Sequence, residues 1–320
     1  MRAFNAVLNV IKQNHRFLVT THHNPDADAL DSALAMALFL KSKGKQVCVL
    51  NEDECPEWLK FLPATSMFKK AGDVKSLDYD AAIVLDCGDL KRIGTVRRLI
   101  KKDKPLVNID HHITNDRFGS INVILPQASS TCEMVFSLFK EARYPLNRKL
   151  ALLLYAGIMT DTGSFRYENT SVFCHQTIGE LMSYKISAPQ MYDRLFVGVP
   201  AGDMKLFTDV IHKARLLYGN KVYCMTLSKK IESRFSKSFD LKENLFAFLR
   251  SVKGIEVIVI LMELKPKEVK VSLRSNGDFD VASLSQQFDG GGHRKAAGCK
   301  IYQPLATAQR TICQAIGKRL

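Results

Sequence analysis

The sequence predicts an α/β protein in which a mainly parallel sheet with flanking helices is followed by a smaller α/β domain. In the first half, short apolar runs alternate with stretches of helical periodicity, which is typical of parallel sheets. In the second half, two β-rich runs are adjacent, which predicts a hairpin instead. The length of 320 residues also exceeds the ~100–200 residues of an ordinary domain, so two domains are expected.

Four apolar runs predict the strands of the first half. These strands are expected at residues 17–20, 46–50, 81–85 and 106–109. Helical patterns cover residues 29–43, where Gly44 ends the helix, and then residues 130–142, 147–160 and 171–184. Because parallel strands need long crossover connections, helices between the strands favour a parallel sheet.

Prolines 189 and 200, with a glycine between them, predict a connector over residues 186–200, part of which could be helical. The predicted domains are residues 1–185 and 201–320. In the second domain, Ile255–Leu264 and Glu268–Leu273 flank a Lys-Pro-Lys turn and predict a β-hairpin. A terminal helix is expected at residues 305–318. We expect the active site in the cleft between the domains.

The composition indicates a soluble protein with a basic surface. Lysine and arginine total 46 against 32 acidic residues, a net charge of +14. This excess favours nucleic acid, nucleotides or an anionic membrane, although a basic surface without such a partner is an alternative. The longest strongly apolar run, Leu150–Met159, is shorter than the ~20 residues of a membrane span. Eight cysteines without a C-x-x-C pair predict a reducing compartment, so we expect a cytoplasmic protein.

Residues able to do chemistry cluster directly after the predicted strands. His22-His23-Asn24-Pro25-Asp26-Ala27-Asp28 follows the first strand, Asp86-Cys87-Gly88-Asp89 the third and Asp110-His111-His112 the fourth, while Asp161 ends a helix. Any one of these segments could be a turn or a helix cap. Because the carboxyl ends of parallel strands share one edge of a sheet, three such loops together predict a functional site.

Mixed histidine and aspartate ligands suit a divalent metal ion. Mn²⁺ is the first expectation, and Mg²⁺, Fe²⁺, Co²⁺ and Zn²⁺ are the alternatives. About five carboxylates at one site would repel each other strongly unless two cations neutralised them. A pair of metals ~3.5–4 Å apart is a known arrangement for cleaving phosphate esters. The motifs therefore predict a two-metal phosphoesterase.

The order and spacing of the motifs resemble the DHH phosphoesterase superfamily. The resemblance lies in His22-x-x-Pro25-Asp26-x-Asp28, Asp86, Asp110-His111-His112 and Asp161. In the second half, Gly290-Gly291-Gly292-His293, Ala296-Ala297-Gly298 and the strand Val271–Ser275 are similar to the DHHA1 subgroup. The two-domain layout is most similar to the NrnA group, which degrades nano-RNA and dephosphorylates 3′-phosphoadenosine 5′-phosphate (pAp).

The resemblance implies a role for each matched residue of the first half. His22 and Asp26 would hold one metal, and Asp28, His111 and Asp161 the other. Asp86 would bridge both metals, Asp110 would orient its neighbours, and His112 would face the substrate phosphate.

The implied substrate-binding residues lie mostly in the second half. Arg274 and His293 would bind a phosphate, which the backbone amides of Gly290, Gly291 and Gly292 would allow to approach closely. Ser130 and Arg92 are further candidates from the first half. One departure from the family is Asp31, which stands where glycine is usual. It could be no more than a favourable charge at a helix N-terminus.

The resemblance implies hydrolysis of short oligoribonucleotides to mononucleotides, dephosphorylation of pAp to AMP, or both. Two alternatives on the same scaffold are a cyclic-dinucleotide phosphodiesterase and a RecJ-like single-strand exonuclease, the latter disfavoured by the short chain. Pyrophosphatase or exopolyphosphatase activity is disfavoured by the Gly290–His293 cluster. A non-catalytic RNA-binding protein is disfavoured by the intact ligand positions. The expected partner is short RNA or a small nucleotide and no membrane, with a homodimer left open.

Overall fold

A computed structural model describes residues 4–72, 74–196, 199–236 and 241–320. By its internal packing the chain divides into two units, Met1–Leu195 and Phe196–Leu320. Each unit is built on a six-stranded sheet. The division falls inside the stretch that the sequence predicts as a connector, and residues 197 and 198 of that stretch lie outside the described residues.

The first unit has a sheet in which every pair of neighbouring strands is parallel. The strand order is β3-β2-β1-β4-β5-β6. The strands are β1 (Arg16–Thr20), β2 (Gln46–Asn51), β3 (Phe68–Lys70), β4 (Ala81–Leu85), β5 (Leu106–Asp110) and β6 (Ile121–Ile124). The mainly parallel sheet predicted from the sequence is therefore confirmed. The two short edge strands, β3 and β6, were not predicted, because three or four half-exposed residues give little periodicity.

Six helices accompany this sheet: α1 (Asn5–Gln13), α2 (Ala27–Ser42), α3 (Thr131–Glu141), α4 (Arg148–Asp161), α5 (Val172–Met182) and α6 (Ala188–Phe196). A 3₁₀ segment at Leu90–Leu99 follows β4, and two shorter ones lie at Glu57–Leu59 and Thr65–Met67. Helix α2 is buried along nearly its whole length, because it packs against both α3 and α4. Its N-cap is Asp26, whose carboxylate accepts a hydrogen bond from the amide of Ala29, so the helix begins inside the first motif.

The second unit has a mixed sheet of order β11-β12-β10-β9-β8-β7, in which only the β8–β9 pair is parallel among the described strands. Its strands are β7 (Arg215–Leu217), β8 (Val222–Leu227), β9 (Val257–Lys265), β10 (Glu268–Ser275), β11 (Gly291–His293) and β12 (Ala296–Ile301). Its helices are α7 (Met204–His212), α8 (Lys229–Glu232), α9 (Leu241–Arg250), α10 (Val281–Gln286) and α11 (Leu305–Gly317), with a 3₁₀ turn at Ala201–Asp203.

The predicted hairpin is present as the antiparallel pair β9–β10. Alternate residues of β10 are buried, and Arg274 is on the less buried face of the strand. One core packs α10 and α11 against the sheet, and a second core packs α7 and α9 against its other face. Among the described residues, no helix combines the length and the apolar character needed to cross a bilayer.

Candidate metal centre

The three loops singled out in the sequence leave the carboxyl ends of β1, β4 and β5, which are adjacent strands in the sheet. The fourth element is the end of α4, where Asp161 is the last helical residue. Together these segments bring six side chains into one cluster, which we call the candidate metal centre: His22, Asp26, Asp28, Asp86, His111 and Asp161. Four of the six are buried, whereas Asp161 is half-buried and the Asp26 side chain is exposed.

Asp86 is at the middle of this cluster. Its Oδ2 lies 3.3 Å from Nε2 of His22, and its Oδ1 lies 3.5 Å from Nε2 of His111. Asp86 has φ of 51°, a left-handed backbone conformation that aspartate tolerates better than most residues. The turn after β4 thus directs the two oxygens of one carboxylate to two different histidines.

Each of these histidines has its other ring nitrogen next to a backbone carbonyl. Nδ1 of His22 lies 2.9 Å from the carbonyl oxygen of His23, and Nδ1 of His111 lies 3.3 Å from that of Ala128. When Nδ1–H donates to a carbonyl, the lone pair is on Nε2, which here faces carboxylates. This is the ring arrangement usually found in histidine ligands of metals.

Three donor sets in this region each have ligand atoms within 4.8 Å of one another: His22, Asp26 and Asp86; Asp28, Asp86 and His111; and Asp86, Asp110 and His112. Nε2 of His111 also lies 3.4 Å from Oδ2 of Asp161. That oxygen is buried without a hydrogen-bond partner in the described part of the chain, so it is available to a cation.

The electrostatics of the cluster also fit cations. Burial, followed by the charges of Asp86 and Asp161, raises the pKa of Asp28 well above its usual range. Burial is likewise the main reason that the pKa of Asp161 rises to about 7, against the lowering effect of His111. Carboxylates crowded in this way are destabilised without positive charge beside them. The residues present therefore fit a divalent metal pair, in donor type and in charge.

Helix α3 fixes the orientation of Asp28. The two oxygens of Asp28 accept hydrogen bonds from the amides of Thr131 (2.7 Å) and Cys132 (2.8 Å), in the first turn of α3. Each oxygen retains a second lone pair. Gly157 of α4 permits this packing, because a Cβ there would lie 2.3 Å from Sγ of Cys132 and 3.0 Å from Oδ1 of Asp28.

His112 is held by Asp110, which is fully buried. Nδ1 of His112 lies 2.6 Å from Oδ1 of Asp110, and Nδ2 of Asn115 donates to Oδ2 of Asp110 at 2.6 Å. Burial alone would lower the pKa of His112, but the carboxylate of Asp110 outweighs it and raises the pKa. Asp110 therefore sets both the direction and the charge of the His112 ring.

Ser130 and Arg92 have structural contacts of their own. Ser130 is fully buried and is the N-cap of α3, where its hydroxyl accepts from the amide of Glu133 at 3.0 Å. The carbonyl of Arg92 accepts a hydrogen bond from the amide of His23 at 2.7 Å, which ties the β1 loop to the segment after β4. It is thus the backbone of Arg92 that contacts the first motif in the described contacts.

In the second unit, Arg274 pairs with Glu243, with Nη2 3.2 Å from Oε1. The glycine run packs closely against β12. A Cβ on Gly290 would lie 2.3 Å from the carbonyl oxygen of Gly298, and Gly292 has φ of 135°. Gly290 and Gly292 therefore have a packing role in the sheet. His293 ends β11 and is opposite Ala296.

Asp31 does not behave as a helix-dipole charge. It is fully buried in α2, and neither carboxylate oxygen has a hydrogen-bond partner among the described residues. Burial, followed by the charges of Asp28 and Asp26, raises its pKa well above the usual range. Burial therefore disfavours the charged form of Asp31, contrary to its interpretation as a favourable charge at the helix N-terminus.

Sequence reasoning missed two side chains that support the cluster. Thr131 Oγ1 donates to Oδ1 of Asp86 at 3.0 Å, and Asn115 links Asp110 to Asn108 through its amide. Thr131 adjoins the predicted start of α3, which was the available signal. Asn115 lies in a loop without a pattern, so only the folded chain identifies it.

Two protein-family models and several known proteins are similar to this chain. The model of the DHH family, N-terminal domain, matches residues 16–158, and the DHHA1 domain model matches residues 239–319. The chain is 28% identical to the bifunctional oligoribonuclease and PAP phosphatase NrnA of Thermus thermophilus, over 94% of this chain and 89% of that protein. It is 26% identical to the protein of the same name from Bacillus subtilis, over 92% of each.

A solved structure extends the similarity to the fold of nearly the whole chain. An exopolyphosphatase-related protein from Bacteroides fragilis superposes with a TM-score of 0.84 at 26% identity, covering 99% of this chain and 96% of that one. The two family models together cover most of the chain. Residues 16–158 are therefore a DHH-family N-terminal domain, and it is followed by a DHHA1 domain at residues 239–319.

Proposed function

We propose that the chain is a metal-dependent phosphoesterase that hydrolyses short oligoribonucleotides to mononucleotides and removes a phosphate from pAp. The observation that carries the proposal is Asp86, whose two oxygens face two separate groups of histidine and aspartate. A carboxylate in that position suits a pair of cations better than a single one. The relatives named for oligoribonuclease and PAP phosphatase activity supply the substrate class.

The metals would be held by the six residues of the candidate metal centre, with Asp86 shared between them. His22 and Asp26 would complete one set, and Asp28, His111 and Asp161 the other. Mn²⁺ is the ion we propose first for this mixed donor set. When bound, two such ions would supply Lewis acidity and a low pKa for water beside the phosphorus.

Other residues around the candidate metal centre orient its carboxylates and can donate hydrogen bonds to the substrate phosphate. Asp110 holds the His112 ring and favours its protonated form, so His112 can donate a hydrogen bond to a phosphate oxygen that gains negative charge. Thr131 fixes Asp86 through Oδ1, and the first turn of α3 fixes Asp28. These contacts keep the carboxylates in position without a rearrangement during turnover.

The second unit would recognise the substrate through a terminal phosphate. Arg274 and His293 are the proposed side chains, and Gly290, Gly291 and Gly292 the proposed backbone contacts. Ser130 and Arg92 are proposed as contacts from the first unit. A site with a fixed positive charge discriminates against ligands that lack the matching charge.

We further propose a cytoplasmic location. All eight cysteines are free thiols, and Cys224 and Cys313 have their sulfur atoms 3.5 Å apart without a disulfide. A reducing compartment is consistent with unpaired cysteines at this distance.

The test is a Mn²⁺-dependent hydrolysis panel with pAp, pApA, pGpG, a five-mer RNA, cyclic dinucleotides and pyrophosphate. We expect turnover of pAp and the short linear RNAs, and loss of turnover on chelation of the metal. Preferential cleavage of a cyclic dinucleotide or of pyrophosphate would contradict the proposal in favour of that activity. Absence of hydrolysis across the panel, with RNA binding retained, would favour a non-catalytic RNA-binding protein.

A further inference from the structure

In the second unit, the carboxylate of Glu243 forms an ion pair with Arg274, the arginine that we propose as a phosphate ligand. Glu243, in the first turn of α9, has Oε1 3.2 Å and Oε2 3.3 Å from Nη2 of Arg274. Nζ of Lys242 lies 3.3 Å from Oε1 of the same carboxylate. Glu243 therefore lies between two cations, on the face of β10 that carries Arg274.

The guanidinium of Arg274 is held in place by other contacts as well. Its Cζ lies 4.4 Å from the centroid of the Phe246 ring, and Nη1 donates to the carbonyl oxygen of Leu273 at 3.2 Å. The side chain of Arg274 is 19% exposed, whereas that of Glu243 is 45% exposed. Of the two partners, Glu243 is the one that can move into solvent while the other stays packed.

Carboxylate and phosphate bind a guanidinium with the same donors and the same geometry. An N–H of Arg274 that donates to Glu243 is not available to a phosphate at the same time. Burial alone would raise the pKa of Glu243, but the charges of Arg274, Lys242 and Arg250 outweigh it and hold the pKa at about 2. Glu243 is thus an anion at neutral pH and competes with any phosphate that reaches Arg274.

We propose that Glu243 is an internal competitor that sets the affinity of the second unit for phosphate groups. An arriving phosphomonoester displaces the carboxylate from Arg274, and the carboxylate returns to Arg274 as the mononucleotide product leaves. Glu243 would thereby weaken the binding of substrate and product alike and favour product release. The inference rests on the proposed function in one respect, which is that Arg274 is a phosphate ligand.

The test compares full-length wild type with Glu243→Gln, which keeps the shape of the side chain and removes its charge. The first readout is calorimetric titration with inorganic phosphate, and we expect about fivefold tighter binding, the effect of removing one unit charge at ~4 Å in a well-solvated setting. Glu243→Ala should change affinity in the same direction. The matched control is Glu268→Gln, because Glu268 is also paired with a lysine, Lys300, but is at the opposite end of β10.

A double-mutant cycle makes the inference specific to Arg274. The gain from Glu243→Gln should vanish in an Arg274→Ala background, because no guanidinium remains to be released. With pApA as substrate, Glu243→Gln should lower KM and strengthen inhibition by AMP by a similar factor, while KM for bis-p-nitrophenyl phosphate stays unchanged. Unchanged or weaker phosphate binding in Glu243→Gln, or a gain that persists without Arg274, would overturn the inference.

The two proposals can fail separately. If wild type hydrolyses no nucleotide, the proposed function fails, while the phosphate titration still tests the competition between Glu243 and phosphate. If nucleotides are hydrolysed but the titration shows no gain, the role of Glu243 is wrong, and phosphate titration of Arg274→Ala then shows whether Arg274 binds phosphate at all.

Discussion

Thr131 donates a hydrogen bond from Oγ1 to Oδ1 of Asp86 at 3.0 Å, and both side chains are fully buried or nearly so. The contact joins the first turn of α3 to the loop after β4, which are 45 residues apart in the chain. Oδ2 of Asp86 faces His22. The carboxylate is therefore anchored by Thr131 through Oδ1, and each of its oxygens still has a lone pair for a ligand.

The first prediction concerns Asp86→Asn. Asparagine tolerates the left-handed backbone at position 86 and can still accept from Thr131, so the fold should be retained. The shared negative charge is lost, and we expect hydrolysis of pApA to fall by at least ~10³-fold, a loss of several kcal/mol of charge stabilisation. Steady-state kinetics and thermal melting measure the two effects. Asp103→Asn, on an exposed turn, is the control and should leave activity unchanged. Near-wild-type turnover by Asp86→Asn would rule out a shared carboxylate.

The second prediction concerns phosphate recognition by Arg274 and His293. Arg274→Ala and His293→Ala should each raise KM for pAp and pApA by roughly tenfold or more, the cost of a charged hydrogen bond. KM for bis-p-nitrophenyl phosphate, which lacks a terminal phosphate, should hardly change. The matched control is Arg215→Ala, which removes one positive charge from the exposed strand β7. Equal losses on both types of substrate would mean that the two residues serve the fold or the metals instead.

A third prediction links pH to stability through Asp80. Its carboxylate accepts hydrogen bonds from the side chain of Arg16 and from the amides of Arg16 and His15, which lower its pKa. A group with a depressed pKa in the folded state stabilises the protein above its unfolded pKa, and this contribution is lost as the pH falls. Asp80→Asn should therefore lower the free energy of unfolding by up to about 1 kcal/mol at pH 7, because solvent screens this partly exposed pair.

The difference between wild type and Asp80→Asn should shrink as the pH falls below about 4, because the unfolded chain takes up a proton at Asp80 there, whereas the folded carboxyl with its lowered pKa does so only at still lower pH. Urea unfolding at several pH values measures it. Asp78 also contacts Arg16, but its side chain is 73% exposed. Asp78→Asn should consequently have a much smaller effect. A pH-independent difference for Asp80→Asn would show that packing, and not the carboxylate charge, is responsible.

The fourth prediction contrasts two glycines in helices. Gly157→Ala places a methyl group 2.3 Å from Sγ of Cys132, between α3 and α4, and should destabilise the protein by about 1–3 kcal/mol. Gly179 in α5 has no atom within 4 Å of the same position, so Gly179→Ala should stabilise it by up to ~1 kcal/mol through helix propensity. Thermal or urea unfolding measures the change in stability of each variant. If both changes have the same sign, the close packing of α4 on the Asp28 region is not as tight as described.

Much of the first unit and of its motifs could be predicted from the sequence. The apolar run before Asp86 is continuous and the run before Asp110 is interrupted only by Asn108, and such runs are typical of strands buried on both faces. The carboxyl-end rule for parallel strands then indicates that the loops after them share one edge. In the second unit, the alternation in β10 and the Lys-Pro-Lys turn were sufficient for the hairpin.

The contacts that set the pairing and the burial of the charged residues could not be predicted, because they join segments far apart in the chain. Nothing near Glu243 indicates that it pairs with Arg274, 31 residues later. The interpretation of Asp31 as a favourable helix N-terminal charge did not include its burial, because that burial arises only from the packing of α2 against two later helices.

The strand order of the first unit has a consequence for its fluctuations. β1 and β4 are paired on both sides, whereas the edge strands β3 and β6 each have one neighbour. Local opening of a sheet begins at its edges and reaches the centre only near global unfolding. Amide hydrogens of β3 and β6 should therefore exchange with solvent much faster than those of β1 and β4. The loops that carry His22 and Asp86 leave the two strands that open last, so fraying of the sheet leaves these residues in register.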